Sequence, residues 1–342
     1  MARVAILGTG LIGTSIGLRL RHNGAKDVEI VGHDRYNDFA GQAKKQGAFD
    51  RVESDPREAV RDAGLVILSA PVLANHKLMG EIASSLAPNA IVTDTGSTKA
   101  ETLRQAAQLL PTTVSFVGGH PMAGKTETGP RAAHPGLFDG ARWVVVPSAS
   151  APERAVRSVT GLIEQLGAEA MFMDAEEHDS YVAAISHMPM MVATALFRFT
   201  HDSEAWPELS SLAGGGFKDT TRLASTDPAM SHDIAVTNRE QIVHWLSRFR
   251  ASVYELEQKL SATEEEEELF RYLAQAQFEH ESFINGKIGR AEGEPGMDKS
   301  AGFDFGSFLM GDVIRDKLAE VQRNQEERLT DLEKKQRSKR NV

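Results

Sequence analysis

The first part of the chain alternates short apolar runs with stretches of helical period. Val4 to Leu7 is such a run, a glycine-rich turn follows, and Ile12, Ile16 and Leu20 then recur at helical spacing as far as Asn23-Gly24. Further runs lie at Val28–Gly32, Leu65–Ser69, Ile91–Asp94, Val114–Val117 and Trp143–Val146. Continuous apolar runs bounded by turn residues suit strands buried on both faces of a parallel sheet. Their alternation with helical stretches predicts an α/β Rossmann-type, doubly wound sheet over residues 1–150.

From Glu153 the helical period takes over, apart from a strand-like run at Glu169–Met173. Ala175 to Phe199 is apolar almost all round, which predicts a helix in a large core or a subunit interface, and Pro189 should break its hydrogen-bond ladder. Arg239–Leu260 reads as a long amphipathic helix, and another runs from the acidic stretch Glu264–Glu268 to about Ile284. Residues 151–286 therefore read as an all-α domain. Residues 287–342 read as a linker rich in glycine and charge, followed by a charged tail.

A chain of 342 residues suits two domains with an appendage. The net charge of −10 argues against a nucleic-acid surface. With no cysteine there are no disulfides, thiolate metal sites or thiol nucleophiles. No uninterrupted apolar run reaches the roughly 18–20 residues of a membrane span, and the chain opens on a strand without a signal-peptide pattern. The expectation is a cytoplasmic protein with neither nucleic-acid nor membrane partners.

Chemistry enters with the glycines. Gly8-Thr9-Gly10-Leu11-Ile12-Gly13 is G-x-G-x-x-G between a strand and a helix, the context in which it cradles a dinucleotide pyrophosphate on a helix N-terminus. Asp34 follows the second strand, where a carboxylate accepts the ribose hydroxyls of NAD and repels a 2′-phosphate. Arg35 beside it leaves NADP open, and Asp34 could instead cap the next helix. Ala70-Pro71 ends the strand over which the cofactor should cross. Ser97 falls on the same carboxyl rim, before a helix at Ala100–Leu110. So does His120, at the end of Val117-Gly118-Gly119-His120-Pro121, where an imidazole suits general-base work. Ser186-His187 forms a polar pair inside the apolar helix, open to a ligand or to a satisfied core role. Lys218 and Arg222 follow three glycines and sit four apart, which suits a carboxylate ligand or a surface ion pair with Asp219. Lys125, just past the histidine loop, is a second candidate anchor.

Four stretches together carry a family resemblance: the glycine loop at Gly8–Gly13, G-G-H-P-M-A-G at Gly118–Gly124, S-H-M-P at Ser186–Pro189 and G-F-K-D-T-T-R at Gly216–Arg222. In this order the chain, from about Ala2 to Gly286, resembles the prephenate/arogenate dehydrogenases of tyrosine biosynthesis. The resemblance implies oxidative decarboxylation of a cyclohexadienyl substrate with NAD(P), in a homodimer built through the helical domain. It places the catalytic histidine on His120, an active-site serine on Ser97 and the carboxylate-binding arginine on Arg222. Many members carry a second, substrate-contacting histidine where this chain has Met190, a departure shared by arogenate users. Two other readings stand beside it: another two-domain NAD(P) oxidoreductase, and a non-catalytic NAD-sensing protein. The first should put a lysine base on the central helix, where this chain has Ser186-His187. Intact His120, Ser97 and Arg222 oppose the second.

Overall fold

The structure is a computed structural model that describes residues 2–24, 27–125, 127–262 and 266–286. The expected tail, residues 287–342, lies outside the described residues. The chain divides into two compact units, 1–249 and 250–342.

Eight strands form one sheet in the first unit: β1 (Ala2–Leu7), β2 (Val28–His33), β3 (Arg51–Glu53), β4 (Leu65–Leu68), β5 (Ile91–Asp94), β6 (Ser115–Pro121), β7 (Arg142–Pro147) and β8 (Glu169–Phe172). Their order is β3-β2-β1-β4-β5-β6-β7-β8. Helices α1 (Leu11–His22), α2 (Asn37–Lys45), α3 (Pro56–Val60), α4 (Val72–Ile82), α5 (Ala100–Leu109) and α6 (Glu153–Gln165) connect them. This is the Rossmann-type α/β sheet that the apolar runs predicted. One pairing departs from the parallel rule: β7 runs antiparallel to β6, with His120 opposite Val144. Two cores result. Ile6, Ile16, Ile30, Ile67, Trp143 and Ile163 pack on one face, and Leu7, Val31, Leu68, Met79, Val92 and Phe116 on the other.

The sheet does not stop at residue 150. β8 pairs parallel with β7 (Val144 opposite Met171), and two parallel neighbours need a crossover, which α6 supplies. The sheet therefore extends past the expected boundary, to the end of β8. β3, only three residues long, carries no periodic signal and went unread.

Beyond the sheet come α7 (Ala175–Val182), a π-helical turn (Ala183–His187), α8 (Met188–His201), α9 (Trp206–Leu212), α10 (Gly215–Thr221) and α11 (Pro228–Thr237). Pro189 does not end the helix. The wider π turn just before it absorbs the missing donor, and a continuous 27-residue rod, Ala175–His201, results. Among the described residues this helix is long and apolar enough to cross a bilayer by length and composition only: an 18-residue window of it reaches a mean hydropathy of 1.4, although no uninterrupted apolar run of that length occurs.

Two more helices follow, α12 (Arg239–Ser261), whose last residues open the second unit, and α13 (Glu266–Ile284). Within the second unit, Lys259 pairs with Glu268 and lies 5.8 Å from the Tyr272 ring centre.

Candidate active site

The glycine loop has the geometry of a phosphate cradle. Gly8 has φ +102°, and a Cβ there would lie 2.5 Å from the Ser69 carbonyl and 2.6 Å from the Ala70 nitrogen. The loop and the Ala70-Pro71 turn are thus in backbone contact, as two walls of one cofactor site should be. A Cβ on Gly13 would meet the Gly8 carbonyl at 2.0 Å, so helix and strand need glycine to pack. Gly10 faces open space and caps α1 without a side chain, which leaves the first N–H groups, from Leu11 and Ile12 on, free for an anion. These residues fit a dinucleotide.

Asp34 does not cap the following helix. Its Oδ2 accepts from the Thr9 backbone N–H at 2.7 Å and the Thr9 hydroxyl at 3.1 Å, and its Oδ1 from the Tyr36 N–H at 2.9 Å. The carboxylate is thereby tied to the rim of the cradle. Arg35 is exposed and stacks on Tyr36, 4.4 Å from the ring centre. Ala70 is fixed by Asn75, whose Oδ1 accepts the Ala70 N–H at 3.1 Å, and Pro71 starts α4.

His120 is the penultimate residue of β6, three residues past the last β5 pairing, Thr93 with Val117. Where β5 turns away, a buried ion pair takes its place. Asp94 Oδ1 accepts the Gly119 N–H at 3.0 Å, and Lys99 Nζ donates to the Gly119 carbonyl at 2.7 Å and to Asp94 Oδ2. Both Lys99 and Asp94 are fully buried.

The His120 side chain meets a residue that sequence reading missed. Its Nδ1 lies 2.9 Å from His178 Nε2, and His178 Nδ1 lies 2.8 Å from Asp179 Oδ1. Asp179 Oδ1 also accepts the Lys99 N–H at 2.7 Å, and Oδ2 the Ala100 N–H at 2.9 Å. Asn238 then ties this cluster to the π turn, donating to the Asp179 carbonyl at 2.7 Å and standing 3.1 Å from His187 Nδ1. Within Glu176-Glu177-His178-Asp179, the two functional side chains look like the polar first turn of a helix. Only their burial, at 0% and 2% exposure, sets them apart. Desolvation holds the His120 pKa well below its ordinary value, with His178, Lys99 and His187 adding to the effect. His187 is pushed down to about 4, chiefly by burial. Both rings are neutral at pH 7.

The other expected residues divide. Ser97 lies half-buried in the β5–α5 turn, but the hydrogen-bond partner of the His120 ring is His178. Ser186 is exposed and His187 buried, so the polar pair points two ways. Lys125, Lys218 and Arg222 are exposed. The ion pair of Asp219 with Lys218 or Arg222 does not form among the described residues. Met190 is buried with Ala183, Ile234 and Ile242, and its sulfur accepts from the Ser231 hydroxyl at 3.4 Å.

A dinucleotide cradle and a neutral rim histidine, with a helical segment closing over the rim, define an oxidoreductase of the nucleotide-dependent dehydrogenase class. Residues 16–172 match the family described as prephenate dehydrogenase, nucleotide-binding domain, and residues 174–275 match prephenate dehydrogenase, dimerization domain. The chain belongs to the prephenate dehydrogenase family. It is 36% identical to the prephenate dehydrogenase of Bacillus subtilis (strain 168) over 277 residues, 80% of this chain and 74% of that one. It is 31% identical to the cyclohexadienyl dehydrogenase of Zymomonas mobilis over 259 residues, 74% of this chain and 86% of that one. The solved prephenate dehydrogenase of A. aeolicus, in complex with hydroxyphenyl propionate and NAD+, superposes with a TM-score of 0.77 at 30% identity, covering 83% of this chain and 98% of that one. Synechocystis arogenate dehydrogenase superposes at 0.70 with 27% identity, covering 82% and 99%.

Proposed function

We propose that this protein oxidises and decarboxylates prephenate with NAD as acceptor, with His120 as the base. The observation that carries the assignment is the neutral, buried-edge imidazole of His120 on the same sheet rim as the cradle. The substrate bears a ring hydroxyl opposite a ring carboxylate. Bound NAD supplies the hydride acceptor for the carbon that carries the hydroxyl. His120 takes the hydroxyl proton as that carbon becomes a carbonyl-like centre. The bond to the ring carboxylate then breaks, carbon dioxide leaves, and its electron pair completes the aromatic ring. Aromatisation makes the sequence strongly downhill.

Ser97 would hold the reacting hydroxyl, and Arg222, exposed and with no side-chain ion pair among the described residues, would pair with a substrate carboxylate. Lys218, Ser186, His187 and Lys125 are the further substrate-side candidates. Asp34, anchored on Thr9, favours NAD over NADP. The second reading, use of arogenate as well, rests on Met190, which offers no imidazole to the substrate side chain. The protein would act as a homodimer through its helical segment, and a cytoplasmic location suits such a biosynthetic enzyme. NADH absorbance on mixing protein, NAD and prephenate, repeated with arogenate, tests the assignment. No absorbance change with either substrate overturns it.

A further inference from the structure

The cluster around Asp179 has a direction. Both carboxylate oxygens accept backbone N–H groups where α5 begins, from Lys99 just before it and from its first residue, Ala100, so Asp179 presents only an acceptor to its neighbours. His178 Nδ1, at 2.8 Å from that carboxylate, must therefore carry a proton. In a neutral ring the other nitrogen, Nε2, is then a bare acceptor. His120 Nδ1, 2.9 Å away, must in turn donate to it. The lone pair of His120 is left on Nε2, which has no hydrogen-bond partner among the described residues. With His178 neutral, reversing the chain of donors would require Asp179 to donate while already facing two N–H groups.

We propose that Asp179 and His178 are positioning residues that fix the tautomer of His120, so that Nε2 is the atom that takes the substrate proton. This rests on the role proposed above for His120. The same carboxylate caps α5, whose first turn follows Ser97, so one side chain sets both the ring's tautomer and the turn beside it. Asn238 holds the Asp179 backbone from the other side, through the carbonyl. The groups around the His120 ring are His178 and Asp179 from α7, Lys99 from the β5–α5 turn with its partner Asp94, and His187 from the π turn. None of them, apart from His178, is within hydrogen-bond reach of the ring.

Three variants and one spectrum test this. In Asp179→Asn the amide oxygen keeps the Ala100 N–H from the Oδ2 place, and the amide NH₂, in the Oδ1 place, faces His178 and gives up the Lys99 N–H contact. That reverses both rings and puts a proton on His120 Nε2. The kcat is expected to fall by about 10²–10⁴-fold with KM and the NAD Kd nearly unchanged. His178→Leu should lose kcat comparably. His178→Gln can still accept from His120 and donate to Asp179, and should recover at least about 10-fold over His178→Leu. Nitrogen-15 spectra of the imidazoles in the substrate-free protein should show His120 protonated on Nδ1 in the wild type and on Nε2 in Asp179→Asn. A wild-type ring protonated on Nε2, or His178→Leu with wild-type kcat, overturns the proposal. If wild type turns over neither substrate while the spectra behave as described, the functional assignment fails and the tautomer relay stands.

Discussion

At the residue just before the histidine there is no room for a methyl group. A Cβ on Gly119 would lie 2.6 Å from the Asp94 carbonyl and 2.8 Å from Trp143 Nε1, both on buried, well-packed elements. Gly119→Ala should therefore cost about 1–3 kcal/mol of stability, the usual size of overpacking, and should lower kcat by displacing His120. Urea titration and steady-state kinetics check both. His120→Asn should lower kcat by at least about 10²-fold and leave the Kd for NAD nearly unchanged; near-wild-type turnover would remove His120 from its role. Arg222→Ala should chiefly raise KM, since a charge-assisted contact is worth about 1.5–3 kcal/mol. A flat KM would make Arg222 a surface residue. His187 gives a pH prediction. Its folded pKa of about 4 lies below the unfolded value of 6.5, so below pH 6.5 the unfolded chain binds the proton first. Its contribution to stability is complete above pH 6.5 and is lost as the pH falls toward 4, on the order of 3 kcal/mol in all. His76 and His120, also lowered by burial, add to the same acid limb. Denaturation midpoints between pH 7 and 4.5 measure it, and a flat profile would contradict the burial of these rings.

At the scale of elements, apolar runs and glycines made the strands and the cradle legible, because both signals are local. What stayed hidden depends on partners distant in sequence. The direction of β7 is set by its pairing with β6, and β8 looked like an isolated run because its partner, β7, precedes it by a whole helix. His178 and Asp179 read as an ordinary polar first turn, since nothing local marks them as buried. Ser97 was legible as a rim residue because its strand and the helix after it are both local signals, whereas the partner of the His120 ring, His178, lies 58 residues on. Asp233 is another such case. It lies on α11, yet its carboxylate accepts the Leu73 N–H at 3.0 Å and so caps α4. Asp233→Ala should cost about 0.5–2 kcal/mol, as lost caps do. A Tm within error of wild type would show that the cap contributes nothing.

At the scale of the molecule, the apolar rod Ala175–His201 leaves large side chains uncovered: Ile185 is 71% and Phe199 80% exposed, and Leu212 on α9 reaches 82%. Residues 174–275 match a dimerization domain, and a second copy on this face would cover these side chains. The expected outcome is a dimer by light scattering, with a Tm that rises with protein concentration. Phe199→Asp should shift it to monomer. A wild-type protein that is monomeric at all concentrations would contradict the assignment.

Asp179 and Asp233 together make the two helix caps into a clock. The amide protons of Lys99, Ala100 and Leu73 have acceptors that lie 80, 79 and 160 residues away in sequence. None of the three can exchange with heavy water by fraying of its own helix end alone. Each must wait for the helical segment to lift off the sheet, so their exchange rates report that lifting directly. If α7 and α11 leave as one body, the three amides exchange at a single rate. If Leu73 exchanges first, α11 peels away while the histidine pair is still locked, and the rim opens from the α4 side.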